Sequence, residues 1–359
     1  VEQTPAFAAG SNVYAWGDNA DGQLGNGTTT AHTTHGTSVL ANVVDLDGGR
    51  EHVVALDAAG AVWCWGHNQY GQIGDGTKTN RLVPTKVTFT GNPVITAIGA
   101  GHYHSMALAA DGSVWCWGFN KWGILGDGTT TNRSRPVKVS GLTNAIAVAG
   151  ARDHSLALRA DGTVVAWGDN EFGNLGNGTL TSHPTPVVVT GLSAITAIAG
   201  GRDHSLAIGA GGAVWAWGWN QYGQIGDGSK TNKTTAVKAA TLTGATAITA
   251  GANHSVALRN DGRVWVWGQN TYGQLGDGTG KSRTTPVALT SLSNILLIGT
   301  GRLHTLAAGA STVYAWGDNT YGEIGDGTKT KRTAPVVVPG VTGASGLAGG
   351  RDYSVVAAS

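Results

Sequence analysis

The sequence predicts an all-β protein, a seven-bladed β-propeller of four-stranded antiparallel blades, and three observations carry that expectation. First, the phrase Trp-Gly-x-Asn-x-x-Gly-x-x-Gly-[Asp/Asn]-Gly occurs seven times, beginning at Trp16, Trp65, Trp117, Trp167, Trp217, Trp267 and Trp316, at spacings of 49 to 52 residues. Second, each interval contains four short runs of small, β-branched or aromatic residues and no helical period. Third, the chain enters the pattern at the third run (13–16) and leaves it at the second (353–356), so N- and C-terminal strands should share one blade and close the ring without a covalent bond. A repeat that fills the whole length reads as one closed unit, hence a single domain over residues 1–359.

The fourth copy shows the elements in order. Residues 145–149 form an Ala-rich strand A, suited to the crowded shaft, and Gly150-Ala151-Arg152-Asp153 leads into strand B at 154–158. Ala160-Asp161-Gly162 is a hairpin signal. Strand C, 163–167, carries its aromatics at alternate positions, as in Trp215/Trp217 and Trp265/Trp267, so both indoles leave one face. Each buries roughly 150–250 Å² against the next blade. A Gly-rich loop follows from 168 to about 185, and Pro186 opens strand D at 187–189. Pro84, Pro136, Pro286 and Pro335 recur there, where a missing amide guards an outer edge, whereas repeats one and five have His35 and Ala236. Two segments compete for strand B of the closing blade, 5–8 and 350–356, and the reading assigns it to the C-terminal one.

Composition removes several classes. A net charge of +1, with 13% charged residues and no Lys/Arg run, supplies no field for nucleic acid. No apolar stretch is long enough for a membrane span, and residues 1–10 lack a basic leader, so the expectation is a soluble, mature or untargeted chain. Abundant Gly, Thr and Asn with few charges suggest an extracellular or cell-surface bacterial protein rather than a cytoplasmic one. Cys64 and Cys116 occupy one column of consecutive repeats and point the same way round the axis, which predicts two buried free thiols.

The repeat phrase, together with Gly-x-x-His-[Ser/Thr]-x-Ala-Leu, resembles the repeat of the regulator of chromosome condensation family over essentially the whole chain. That resemblance implies a seven-bladed propeller whose members share protein recognition on a propeller face. They include a nucleotide exchange factor, domains of ubiquitin ligases, a plant UV-B photoreceptor and, more distantly, a secreted β-lactamase inhibitor. The chain departs from the exchange factor in having no basic tail and no wedge-like insertion. It departs from the photoreceptor in placing Arg50, His102, Arg152, Arg202, Ala252, Arg302 and Arg351, none of them Trp, two places before the His column.

Most columns read as scaffold. The glycines have no following helix to make an anion site and serve turns instead. The Asn column (Asn19, Asn68, Asn120, Asn170, Asn220, Asn270, Asn319) should pin its loop through backbone bonds. His52, His104, His154, His204, His254 and His304, with Tyr353 completing the column, stand one blade apart, too dispersed for zinc, and are expected to bond neighbouring backbone. No metal, cofactor or catalytic residue is expected, and the His-Ser dipeptide puts its two side chains on opposite faces, away from nucleophile–base chemistry.

Strand parity puts the A–B and C–D loops on one face. That face should carry Arg50, Arg152, Arg202, Arg302 and Arg351, interleaved with Glu51, Asp153, Asp203 and Asp352. It should also carry the column that the copies do not share: Asp18, His67, Phe119, Asp169, Trp219, Gln269 and Asp318. Five residues past the last motif glycine runs a basic column, His32, Arg81, Arg133, His183, Lys233, Arg283 and Arg332. Arg and aromatic residues on long loops favour a non-enzymatic protein-binding scaffold, with Arg50, Arg152, Arg202, Arg302, Arg351, His67, Phe119 and Trp219 as candidate contacts. The partner is another protein, or a second copy through the same face. The alternatives are a secreted enzyme inhibitor, an exchange-factor-like regulator and, last, an enzyme at the channel mouth.

Overall fold

In the computed structural model, which describes residues 10–240 and 242–359, seven antiparallel sheets are arranged around a central shaft. Blade 1 comprises Val43–Gly48, His52–Asp57, Val62–Gly66 and Arg81–Lys86, strands A to D from shaft to rim. Blades 2 to 6 repeat that order, each hydrogen-bonding only consecutive strands. Blade 7 combines Ala344–Gly349 and Tyr353–Ala358 with Asn12–Gly17, whose register runs from Asn12 opposite Ala358 to Gly17 opposite Tyr353. The C-terminal segment therefore fills strand B of the closing blade; residues 5–8 lie outside the described residues. The rim of this blade is held by two isolated bridges, Val13 to Leu40 and Gly17 to His32, in place of a regular fourth strand.

Strand D begins earlier than the prolines suggest. It starts at the basic column, as in His183–Val188 and Arg283–Ala288, with Pro186 and Pro286 fourth in the strand. Gly168 pairs with His183, the register shifts, and Val187 resumes the ladder opposite Ala166. Sequence reasoning stopped at the proline because nothing in the residues before it marks a bulge.

The blades are joined by the motif tryptophans, all seven fully buried. Each indole donates to a main-chain carbonyl of the preceding repeat's loop, as in Trp217 Nε1 to Asn174 O at 2.8 Å and Trp65 Nε1 to Gln23 O at 3.0 Å. The third motif glycine lies flat on that ring: at Gly176 (φ +64°) an added Cβ would come within 2.8 Å of Trp217. Trp and Gly are thus two halves of one inter-blade contact. Cys64 and Cys116 are buried and unbridged, and burial pushes the Cys116 thiol far above its usual pKa.

A second ring joins the blades closer to the axis. His52, His104, His154, His204, His254 and His304 each place Nε2 2.8–3.0 Å from the hydroxyl of Ser105, Ser155, Ser205, Ser255, Thr305 or Ser354 on the following blade. Each hydroxyl donates in turn to the carbonyl that receives the Trp, for example Ser105 Oγ to Gln72 O at 2.8 Å alongside Trp117 Nε1 at 2.8 Å. The hydroxyl proton is committed to the carbonyl, so the imidazole is the donor at Nε2 and its Nδ1 is the bare acceptor. The expectation of backbone partners for these histidines is corrected here: their partner is a side chain one blade away. At the seam between blades 7 and 1 both members change together, since Tyr353 stands for His and Val53 for Ser. The Tyr353 hydroxyl reaches Gly49 O at 3.0 Å and His52 O at 2.5 Å instead.

Candidate functional site

Loop geometry defines the face. In every repeat the residue after Trp-Gly donates its amide to the A–B loop of its own blade, as in Phe119 N to Tyr103 O and Trp219 N to Asp203 O, both 2.8 Å. The Arg column donates sideways. Arg50 N reaches His102 O, His102 N reaches Ala151 O, and the relay continues through Arg152, Arg202, Ala252 and Arg302 until Arg351 N returns to Arg50 O at 2.9 Å. Seven main-chain bonds thus form a closed belt at the mouth of the shaft, with the Arg side chains on it.

Those side chains fall into two ion-paired runs. In one, Arg152 bonds Asp153 at 2.6 Å and Asp203 at 3.1 Å, and Asp203 also meets Arg202 at 3.3 Å. In the other, Arg302 meets Asp352 at 2.9 Å, Asp352 meets Arg351, and Arg351 meets Glu51, which faces Arg50 at 3.4 Å. The runs stop at Ala252 in blade 5 and at His102-Tyr103 in blade 2, where no acid is present. Burial raises Asp203 to about 6 despite Arg152 and Arg202, and raises Asp352 against Arg302 and Arg351. His102 is half-buried, and desolvation first, then the Arg152, Arg50 and Arg202 guanidinium groups, hold it well below its ordinary pKa.

The unshared column separates into two aromatic groups and four polar positions. His67 and Phe119 are brought together by Tyr70 and Tyr103, with ring centroids 4.8–6.2 Å apart. Arg50 stacks on Tyr103 with its guanidinium 5.0 Å from the ring and donates to its hydroxyl. Trp219 belongs to a separate group with Phe172 and Tyr222, at 6.0 and 5.6 Å. His67, Phe119 and Trp219 are all half-buried. Asp18, Asp169 and Gln269 are tied to Gln23 (3.0 Å), Asn174 (3.2 Å) and Asn253 (2.8 Å). Tyr103, which unites the first group, was missed in the sequence; its signal was an aromatic ring where most A–B tips carry an acid.

The basic column is consumed within its own loops. Arg133 meets Asp127 at 2.7 Å, Lys233 meets Asp227 at 2.8 Å, Arg283 meets Asp277 at 2.7 Å, Arg332 meets Asp326 at 2.6 Å, and Arg81 pairs with Asp75. The two repeats with Asn in the acid position, Asn26 and Asn177, are the two with His in the basic one, His32 and His183. Burial acts to raise Asp277, but Thr279, Arg283 and Asn270 outweigh it and keep the carboxyl below its usual range. The Asn column ties these loops: Asn270 Nδ2 donates to Thr279 O and Lys281 O, while its Oδ1 accepts the Leu275 amide.

Two shaft residues carried no weight in the sequence. Asp45 and Asp47, on strand A of blade 1, accept the main-chain amides of Ile98 and Ala100 of blade 2 at 2.9 and 2.8 Å. Burial raises them to about 7 and about 6. Among the described residues no group of three or more His, Cys, Asp or Glu is arranged to hold a metal, and no helix is long and apolar enough to cross a membrane. The inter-blade His–Ser pairs have nucleophile–base distances, but both partners are sealed between blades, and burial lowers the His154 and His204 pKa values to about 3.

Comparison with known proteins places this geometry. Residues 3–244 match the RCC1-like domain, and residues 245–274, 261–308 and 311–357 match the regulator of chromosome condensation (RCC1) repeat. The ultraviolet-B receptor UVR8 of Arabidopsis thaliana is 32% identical over 141 residues, 37% of this chain and 31% of that protein. The E3 ubiquitin-protein ligase HERC2 of Mus musculus is 32% identical over 147 residues, 38% of this chain and 3% of that protein. The match thus spans under a third of either relative. Among solved structures, Prp20p of Saccharomyces cerevisiae superposes with a TM-score of 0.88 at 22% identity, covering 99% of this chain and 93% of that one. Human WBSCR16 gives 0.86 at 21% identity, covering 97% and 98%.

Proposed function

The chain belongs to the RCC1-like domain family, and on that premise we propose that it is a non-enzymatic protein-binding scaffold whose partner docks on the face of the A–B and C–D loops. One observation carries the reading: the other repeat columns are spent inside the ring, whereas this face keeps half-exposed aromatic and Arg side chains that differ from blade to blade. Similar structures include Prp20p, whose binding to Gsp1p and histones is described, and yeast RCC1 bound to Kap60. Protein recognition is therefore a use this architecture supports. The belt charges largely cancel, five Arg against Glu51, Asp153, Asp203 and Asp352, so contact energy on this face comes from Trp219, Phe119 and the Arg planes more than from net charge.

Arg202 is the most exposed belt arginine, its side chain 43% accessible against 22% for Arg152. R202A, W219A and F119A are each expected to weaken capture of a partner at least tenfold while the melting midpoint stays within a few degrees of wild type. Rim changes V83S and V188S should leave capture intact. Capture by all three face variants at wild-type strength refutes the face. Light scattering that shows wild-type dimers lost in W219A would identify the partner as a second copy.

A further inference from the structure

We propose that the buried Glu323 carboxyl keeps its proton in the folded chain, and that losing it loosens the latch by which blade 6 holds the closing blade. The latch is the Glu323 main-chain carbonyl. It accepts Trp16 Nε1 at 2.9 Å from the N-terminal strand and Ser354 Oγ at 2.7 Å from the C-terminal strand, so one carbonyl clasps both ends of the chain.

The side chain of this residue is out of type. Its column reads Gln23, Gln72, Ile124, Asn174, Gln224, Gln274, Glu323. Where the column holds Gln, the amide oxygen accepts the main-chain N–H two residues earlier, at 3.0 Å in Gln23 and 3.1 Å in Gln72. In two copies the amide nitrogen reaches the residue five places earlier, Asp18 Oδ2 at 3.0 Å from Gln23 and His67 Nδ1 at 2.7 Å from Gln72, whereas in Gln224 and Gln274, with Trp219 and Gln269 five places earlier, it is buried without a partner. Glu323 keeps the first bond, with Oε2 accepting Tyr321 N at 2.8 Å. Its Oε1 then takes the place of the Gln23 amide nitrogen, and Asp318, the counterpart of Asp18, is the first of the charges that act on it. That oxygen is buried with no partner, in a residue 1% exposed.

A carboxylate cannot donate; a carboxyl can. Protonated Glu323 reproduces the Gln23 bond by donating to Asp318, whereas ionised Glu323 sets two negative oxygens together out of water. The other charges around it are Asp352 of blade 7, with Asp18 beyond it, and the Arg302 and Arg351 groups already paired to Asp352; His304, bonded to Ser354, feels the Asp318 charge as well. Neither arginine bonds Glu323. Burial first, then Asp318 and Asp352, raise the Glu323 pKa to about 7.

The sign follows from linkage. The folded chain binds this proton more tightly than the unfolded chain, so the contribution is full below about pH 4.5 and is lost as pH rises through about 7. In urea unfolding of the full chain, the ratio of the wild-type to the E323Q folding constant should fall on the order of a hundredfold between pH 4.5 and 8, the titrating histidines acting equally on both. D318N should shrink the same fall, and E323Q/D318N should add nothing beyond E323Q. As the local readout, Trp16 indole exchange should accelerate relative to Trp267, clasped by the Gln224 carbonyl, as pH rises in wild type but not in E323Q. Parallel pH profiles for wild type and E323Q, or a Trp16-to-Trp267 ratio indifferent to pH, overturn the proposal. Neither readout requires a partner, so the outcome is independent of the docking face.

Discussion

At the residue scale, the inter-blade hydrogen bonds make sharp demands on single side chains. Ser205 accepts from His154 and donates to Asn174 O, all within the sealed interface. Ser205→Ala should cost about 1–3 kcal/mol by stranding the imidazole donor, read as a lower urea midpoint. The double change His154→Tyr with Ser205→Val, which copies the Tyr353–Val53 seam, should recover part of that loss; a double variant no better than the single contradicts the interchange. The six histidines also give acid sensitivity a definite sign. Burial lowers His52, His104, His154, His204 and His254 to about 3 and His304 to about 4, below the ordinary 6.5. Their contribution is present above 6.5 and is lost as pH falls toward those values. Ring-proton shifts of these histidines should stay flat from pH 8 to 5, while stability should already fall as pH drops below about 6.5 and keep falling toward pH 4.

Elements show where glycine is required and where it is only convenient. Gly176 and Gly178 share positive φ (+64° and +83°), but a Cβ at Gly176 strikes Trp217 at 2.8 Å while at Gly178 its nearest neighbour is Thr235 at 3.8 Å. Gly178→Ala should cost about 1 kcal/mol from the backbone alone, and Gly176→Ala clearly more; equal midpoints would deny the steric role of the indole. Ala194 has φ +51° where Asn144 and Asn294 stand in other blades. Ala194→Gly should stabilise by about 0.5–1 kcal/mol. Repetition explains what was legible at this level. Trp, Gly and Asn announce themselves by returning seven times, and the strands follow from their alternation. The strand D start, the His-to-Ser pairing and the Asp–Arg loop pairs were hidden because each joins two columns, and a column read alone carries no distance. The co-substitutions Asn26 with His32 and Asn177 with His183 were visible in the sequence and would have exposed one of them.

For the whole molecule, closure is the point of cooperativity. Asn12 lies opposite Ala358 across the seam, so a short turn joining Ser359 to Ser11 in a backbone-cyclised chain completes the ring covalently. Such a cyclic chain should unfold at higher urea than its linear parent, since the closure entropy is removed from the unfolded chain; an unchanged midpoint would mean the seam is not where unfolding begins. The candidate face was legible only in part. Its Arg and unshared columns could be placed from strand parity, but their division into ion-paired runs and two aromatic groups depends on neighbours about 50 residues apart, such as Arg302 with Asp352.

The Tyr353–Val53 exchange lets the ring count its own members. Near-identical units can close early as readily as on time, and a ring of six would lay blade 6 directly on blade 1. His304 would then face Val53 and lose the hydroxyl that Ser354 gives it, while Tyr353, the side chain shaped for that apolar neighbour, would be left outside. The mismatched key makes the premature ring the costlier assembly, so a single pair of substitutions distinguishes the finished product from its misassembled sibling.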